Sequence, residues 1–186
     1  MLYFIVNPHS RSGKALDIWK ELERTLTDKN IEYSYFFTDY IGHAIKLAED
    51  ITSKASSNTP IKLVILGGDG TVNEVYNGIR NHKHVTLGYI PTGSGNDFAR
   101  GLKLPKDPKE ALENILNSKN TQRIECGIAS VLGKQRRFAV SSGMGYDATI
   151  TCRVGNSKVK KAFNKIGLGK LVYTFFGVLQ VFKNPR

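Results

Sequence analysis

The stretch that decides the fold is Val64-Ile-Leu-Gly-Gly-Asp-Gly-Thr-Val-Asn-Glu-Val75. An apolar run, Ile61–Leu66, stops at two glycines. A carboxylate, a third glycine and a threonine follow, and Val72, Val75, Tyr76 and Ile79 then recur at helical spacing. The pattern predicts a buried strand, a tight turn and a helix from about Val72. Glycines let a ligand approach the main chain, and the start of a helix directs unpaired N–H groups at the same place. Both features suit phosphate. Asp69 would repel a bare anion, so its position calls for a divalent cation or a ribose hydroxyl to accompany the phosphate. An Asp-Gly turn without a ligand is the plain alternative.

The same unit repeats on either side. Leu2–Val6 reads as a strand, and Asn7-Pro8-His9-Ser10-Arg11 opens a turn that runs to Gly13. Its backbone amides, with Ser10, Ser12 and Lys14, are placed to cradle phosphate. It is not a Walker A loop, because the first glycine is absent and Ala15 stands where Ser or Thr is required. Ala15, Ile18, Trp19, Leu22 and Leu26 mark one helix, Ile31–Phe37 a second strand, and Ala44, Ile45, Leu47, Ala48 and Ile51 a second helix. Val85–Ile90 is a fourth strand. Pro91-Thr-Gly-Ser-Gly-Asn-Asp-Phe-Ala-Arg100 follows it, with a hydroxyl at Thr92, glycines at Gly93 and Gly95, and Asn96 and Asp97 at a helix start. An ordinary Asn/Asp N-cap is the plain reading of that last pair. Strands alternating with helices predict an α/β fold with a parallel sheet covered on both faces. Ligands of such sheets bind at the carboxyl ends of the strands, where all three turns fall.

The pattern changes near Arg123. After a helix through Ala111, Leu112, Ile115 and Leu116, the stretches Arg123–Val131 and Arg136–Ser141 read as two strands joined through Leu-Gly-Lys-Gln. Leu168, Leu171, Val172, Phe175, Leu179 and Phe182 share a helical face. Residues 1–123 carry 16 Lys/Arg and 14 Asp/Glu, residues 124–186 carry 11 and 2. That asymmetry points to an anionic partner such as nucleic acid or a membrane surface, or to an acidic complement on sequence outside this chain. The two cysteines, Cys126 and Cys152, have no disulfide or zinc spacing, which makes a reducing compartment the default. The opening residues lack a signal-peptide pattern, and no apolar run approaches the roughly 18 residues of a membrane span. His82-Lys-His84 reads as an exposed loop, Gly93-Ser-Gly lacks a nucleophile elbow, and Cys152 reads as a small buried apolar residue.

GGDGTVNEV paired with PTGSGNDFAR resembles the diacylglycerol kinase catalytic-domain superfamily, which includes bacterial lipid kinases and sphingosine kinases. The likeness also takes in the Asn7-Pro turn, Thr38 with Gly42-His43-Ala44, and Gly143–Ala148. NAD kinases and phosphofructokinases share a shorter form of the first motif, and the second sets them aside. The resemblance implies a nucleotide domain, residues 1–122, and the first part of an incomplete β-sandwich, residues 123–186. It implies an ATP- and Mg2+-dependent kinase acting on a lipid hydroxyl, with diacylglycerol the first expectation. Asn7, Pro8, His9, Ser10, Arg11, Thr38, Gly67, Gly68, Asp69, Gly70, Thr71, Val72, Asn73 and Thr92 would contact ATP. Asp69 and Asp97 would organise the Mg2+–phosphate network, with Lys14, Glu74, Gly93, Gly95, Asn96 and Asp147 in support. The family's general base, a carboxylate late in the sandwich, is expected beyond Arg186. The implied partner is a lipid at an anionic membrane surface, not nucleic acid; a homodimer is left open by the sequence. The implied location is cytoplasmic, peripheral on the inner face of the membrane. Two rivals stand beside this reading: an ATP-binding module without the base, and a kinase of a soluble substrate such as NAD. Arg11 departs from the glycine usual at its position.

Overall fold

The computed structural model describes residues 1–141. Met1–Val140 form one compact unit. Its centre is a four-stranded parallel sheet in the order β2-β1-β3-β4, built from β1 (Leu2–Val6), β2 (Tyr33–Phe37), β3 (Ile61–Gly67) and β4 (Val85–Pro91). Helices α1 (Ala15–Asp28), α2 (His43–Thr52), α3 (Asp69–Gly78), α4 (Asp97–Gly101) and α5 (Pro108–Asn117) follow the strands.

The alternation of side chains along the strands creates two cores. Ile5, Leu63 and Ile65 point to one face, where Ala44 and Ala48 of α2 and Val72, Val75 and Tyr76 of α3 cover them. Phe4, Val6, Val64 and Leu66 point to the other, under Trp19, Leu22 and Leu26 of α1 and Leu112 of α5. A strand buried on both sides has to be apolar throughout, which is why VILG at β3 is continuous rather than alternating. α5 starts at a strong cap: the Asp107 side chain accepts from the N–H groups of Lys109 and Glu110, and Pro108 occupies the first turn.

Three boundaries differ from expectation. α3 begins at Asp69, not near Val72, so Asp69 and Gly70 lie inside its first turn. β2 begins at Tyr33 rather than Ile31, because β1 offers no partner before Leu2; Ile31 instead gives its N–H to Leu26 O at the exit of α1. The hairpin comprises β5 (Gly127–Val131) and β6 (Lys134–Phe138), joined by Leu132-Gly133 alone. Both turn residues have positive φ, 49° and 75°, the mark of a two-residue I′ turn. That tight turn draws Lys134 and Gln135 into β6. The hairpin lies within the same compact unit as the sheet and packs on α3. The expected helical face from Leu168 to Phe182, the Gly143–Ala148 segment, Cys152 and Asp147 lie outside the described residues. Among the described residues no helix is long and apolar enough to cross a membrane.

Candidate functional site

The turns after β1, β3 and β4 are bonded together at the carboxyl edge of the sheet. Asn7 N–H reaches back to Leu66 O, and Thr92 N–H to Gly67 O, each at 2.8 Å. The Asn7 carboxamide donates to Thr71 Oγ1 at 3.1 Å and accepts from His9 N–H at 3.0 Å. Ser10 Oγ lies 2.6 Å from Thr92 Oγ1. Thr71 and Thr92 are both buried, so these hydroxyls hold the turns together.

The glycines serve backbone approach. A Cβ on Gly93 would lie 2.6 Å from the Cα of Gly68, and one on Gly67 would lie 2.6 Å from Thr71 Oγ1. Gly70 is different: its Cβ would meet nothing within 4 Å. It sits in the first turn of α3, whose N-cap, Gly68, supplies no side-chain cap. The first N–H groups of a helix have no intrahelical partner. The edge therefore presents a cluster of donors beside open space.

Asp69 has a local task that the sequence reading did not supply. Its two carboxylate oxygens accept from Asp97 N–H at 3.1 Å and Phe98 N–H at 3.0 Å. It therefore caps α4 from across the cleft between two turns. Glu74 acts similarly, accepting from Ala44 N–H at 3.3 Å at the start of α2, where the N-cap is Gly42 with φ 93°. Both acids of the motif thus bind helix starts, where negative charge is favoured by the dipole.

Asn96 closes the third turn. It lies in the left-handed region at φ 52°, which Asn tolerates better than most residues. Its carboxamide accepts from Gly93 N–H at 2.8 Å and donates to Gly93 O at 3.0 Å. Tyr89, not singled out from the sequence, donates its hydroxyl to Gly67 O and Asn96 Oδ1. Burial, and then the nearby Asp69 charge, push the Tyr89 phenol up, so it remains a donor at neutral pH. The sequence signal was available: a tyrosine in a buried strand needs a partner for its hydroxyl.

The remaining expected residues are less closely joined. Thr38 is buried at the end of β2, its N–H on Val6 O. Val72 is core, and its N–H is already bonded to Gly68 O. Asn73 pairs with Asn77 within α3. His9, Arg11 and Lys14 are exposed on the first turn, with Pro8 half-buried between them and the sheet. Asp97 is exposed and ion-paired with Arg100. Gly95 packs its Cα near the Asp69 carboxylate, which a Cβ would approach to 3.2 Å. Among the described residues no three His, Cys, Asp or Glu side chains gather to hold a metal ion, and His82–His84 forms a short surface turn.

Comparisons with known proteins fall on the same segment. The family model described as the diacylglycerol kinase catalytic domain matches residues 1–129. The chain is 29% identical over 176 residues to the Bacillus subtilis protein named "Putative lipid kinase YtlR", covering 92% of this chain and 56% of that one. It is 36% identical over 127 residues to a protein of Staphylococcus saprophyticus named diacylglycerol kinase, covering 66% of this chain and 39% of that one. A solved diacylglycerol kinase structure from Bacillus anthracis superposes with a TM-score of 0.52 at 30% identity, over 61% of this chain and 42% of that one. The chain therefore spans about half the length, or less, of these relatives. The matched residues contain the whole carboxyl edge, with its three bonded turns and the open first turn of α3, and the chain belongs to the diacylglycerol kinase catalytic domain family.

Proposed function

We propose that this chain is the nucleotide-binding part of an ATP- and Mg2+-dependent lipid kinase, with diacylglycerol as acceptor and phosphatidic acid as product. The observation that carries the reading is the uncapped first turn of α3, open at Gly70 and set between the turns after β1 and β4. The N–H groups of that turn are suited to ATP phosphates. The Asn7–Arg11 turn and Thr92 flank it, and Arg11 and Lys14 are exposed cations on that turn. Thr38, at the end of the neighbouring strand β2, lies on the same edge.

The donor set fits magnesium only as a companion of phosphate. With no cluster of three ligands among the described residues, most of the ion's coordination would come from phosphate oxygens and water, the usual state of Mg2+ in nucleotide sites. Each Asp69 oxygen accepts one N–H and keeps a lone pair for a metal-bound water. Asp97 is the second carboxylate within reach of that network. Phosphoryl transfer rests chiefly on positioning and charge neutralisation, and Mg2+·ATP would supply the phosphoryl group and much of that neutralisation. The residues described here bind and orient. No described residue is assigned as the base that takes the proton from the lipid hydroxyl. Action at the inner membrane surface follows from a lipid acceptor and from the basic excess of residues 124–186.

The test is labelled phosphate transfer from ATP to diacylglycerol in mixed micelles, read beside the melting temperature with and without Mg2+·ATP. A melting temperature raised by Mg2+·ATP is the expected result for this chain, and label in phosphatidic acid would place the catalytic base within it. A raised melting temperature without label limits the chain to nucleotide binding. Label transferred to NAD overturns the lipid assignment, and an unchanged melt overturns the nucleotide site.

A further inference from the structure

Helix α3 is engaged at both ends. Its start faces the phosphate edge. At its far end, the Asn77 carboxamide grips the backbone of one residue in β6: it accepts from Arg137 N–H and donates to Arg137 O, each at 2.9 Å. Arg137 stands opposite Ile128 in the hairpin. With both its N–H and C=O turned to Asn77, this is a non-hydrogen-bonded pair of the ladder, and the carboxamide plays the part of a third strand there. A carboxamide offers a donor and an acceptor in one plane with the spacing of a peptide, and Asn carries it on a short stem. The same arginine returns its side chain to the helix, Nη1 donating to Tyr76 O at 3.0 Å and Ile79 O at 3.1 Å. Those are carbonyls at the C-terminal end, which lack intrahelical partners and favour positive charge.

The helix between these ends is short and stiff. Ten residues span about 15 Å. Gly78 lets α2 press against α3: a Cβ there would lie 2.0 Å from Ile45 O. Asp69 and Glu74 tie α3 to α4 and α2. An anion at the start of α3 and a guanidinium at its end stabilise the same helix.

We propose that Asn77 is a positioning residue that couples nucleotide at the start of α3 to the β5–β6 hairpin at its end. The proposal rests on the phosphate reading given above. Ordering α3 at one end holds Asn77 in its grip on Arg137 and suppresses opening of the hairpin, so the two ends are linked through opening equilibria.

Hydrogen exchange in the full 186-residue chain tests this, with Mg2+·ATP as the probe. Nucleotide binding is measured first. In the unsubstituted chain, saturating Mg2+·ATP is expected to slow exchange over Gly127–Phe138 by about fivefold or more. Asn77→Ala also removes the bond from Asn77 Nδ2 to Asn73 O within α3, so exchange is compared at saturating Mg2+·ATP in both chains, and the variant is expected to bind nucleotide and to abolish the slowing. A merely structural role would lower the melting temperature and leave the nucleotide effect intact. Should the alanine variant not fold, Asn77→Asp keeps the acceptor and loses the donor, and part of the slowing is expected to remain. If bound nucleotide leaves hairpin exchange unchanged, or slows it equally in the substituted chain, the coupling is overturned while the phosphate site stands. Failure of the unsubstituted chain to bind Mg2+·ATP overturns both.

Discussion

The turns after β3 and β4 look alike in composition: Gly67-Gly68-Asp69-Gly70-Thr71 against Thr92-Gly93-Ser94-Gly95-Asn96-Asp97. Their hydrogen bonds divide them. The first becomes the uncapped start of a ten-residue helix, with open space at Gly70. The second folds on itself through Asn96, and the helix after it is capped by Asp69 from the first turn. One turn keeps donors free; the other is largely a strut that holds the first in position. Glycine content alone does not distinguish them. An account of where each N–H goes does.

Substitutions at four positions would break or sharpen that contrast. The largest effect is expected at the strut. Gly93→Ala drives a Cβ into the backbone of Gly68 and the carboxamide of Asn96, and a loss of about 3 kcal/mol is expected in urea unfolding. Next is the link between the turns. Asp69→Ala leaves the Asp97 and Phe98 amides without their acceptor, at a cost of about 2 kcal/mol. Asp69→Asn, with one carbonyl oxygen, should lose about half as much, and a full-sized loss in the asparagine variant would contradict the capping role. Activity comparisons should therefore use Asn, since alanine conflates chemistry with folding.

Gly70→Ala separates the two turns most cleanly. Nothing crowds its Cβ, and alanine is the better helix former, so stability should rise by about 0.5 kcal/mol. Affinity for Mg2+·ATP should fall about tenfold if phosphate binds as proposed, because the new methyl group would occupy the open space at Gly70. Unchanged affinity in isothermal titration would remove phosphate from the start of α3. The smallest effect concerns the first turn. Arg11 holds φ 52°, a strained conformation for a residue with a Cβ. Arg11→Gly should stabilise by about 0.5 kcal/mol after the entropy cost of glycine, visible as a small rise in melting temperature.

Much of the fold was legible in local pattern. The β3 run reads as buried because both its faces are, and α1 reads as a helix because Ala15, Trp19, Leu22 and Leu26 share a face. The departure at Arg11 also has a local cause: a left-handed residue is where glycine is favoured. What escaped was the start of α3. Gly-Asp-Gly is a poor helix former by propensity, yet Asp69 and Gly70 enter the helix, with Asp69 held by α4 and Gly68 packed against Gly93. Asn77, Tyr89 and Arg137 also escaped, since their partners lie 60, 22 and 61 residues away.

Periodicity and turn chemistry are properties of neighbouring residues, so the sequence by itself determined the order of strands and helices, the parallel α/β class and the three turns at one sheet edge. The tertiary structure decided what each polar side chain of GGDGTVNEVYNG does. Asp69 and Glu74 cap other helices, Asn77 clasps a hairpin, and Gly70 alone among the first three glycines is left open. The physical reason is that a buried or half-buried polar group takes its role from the partner that satisfies it, and here those partners are brought together only when the sheet has formed.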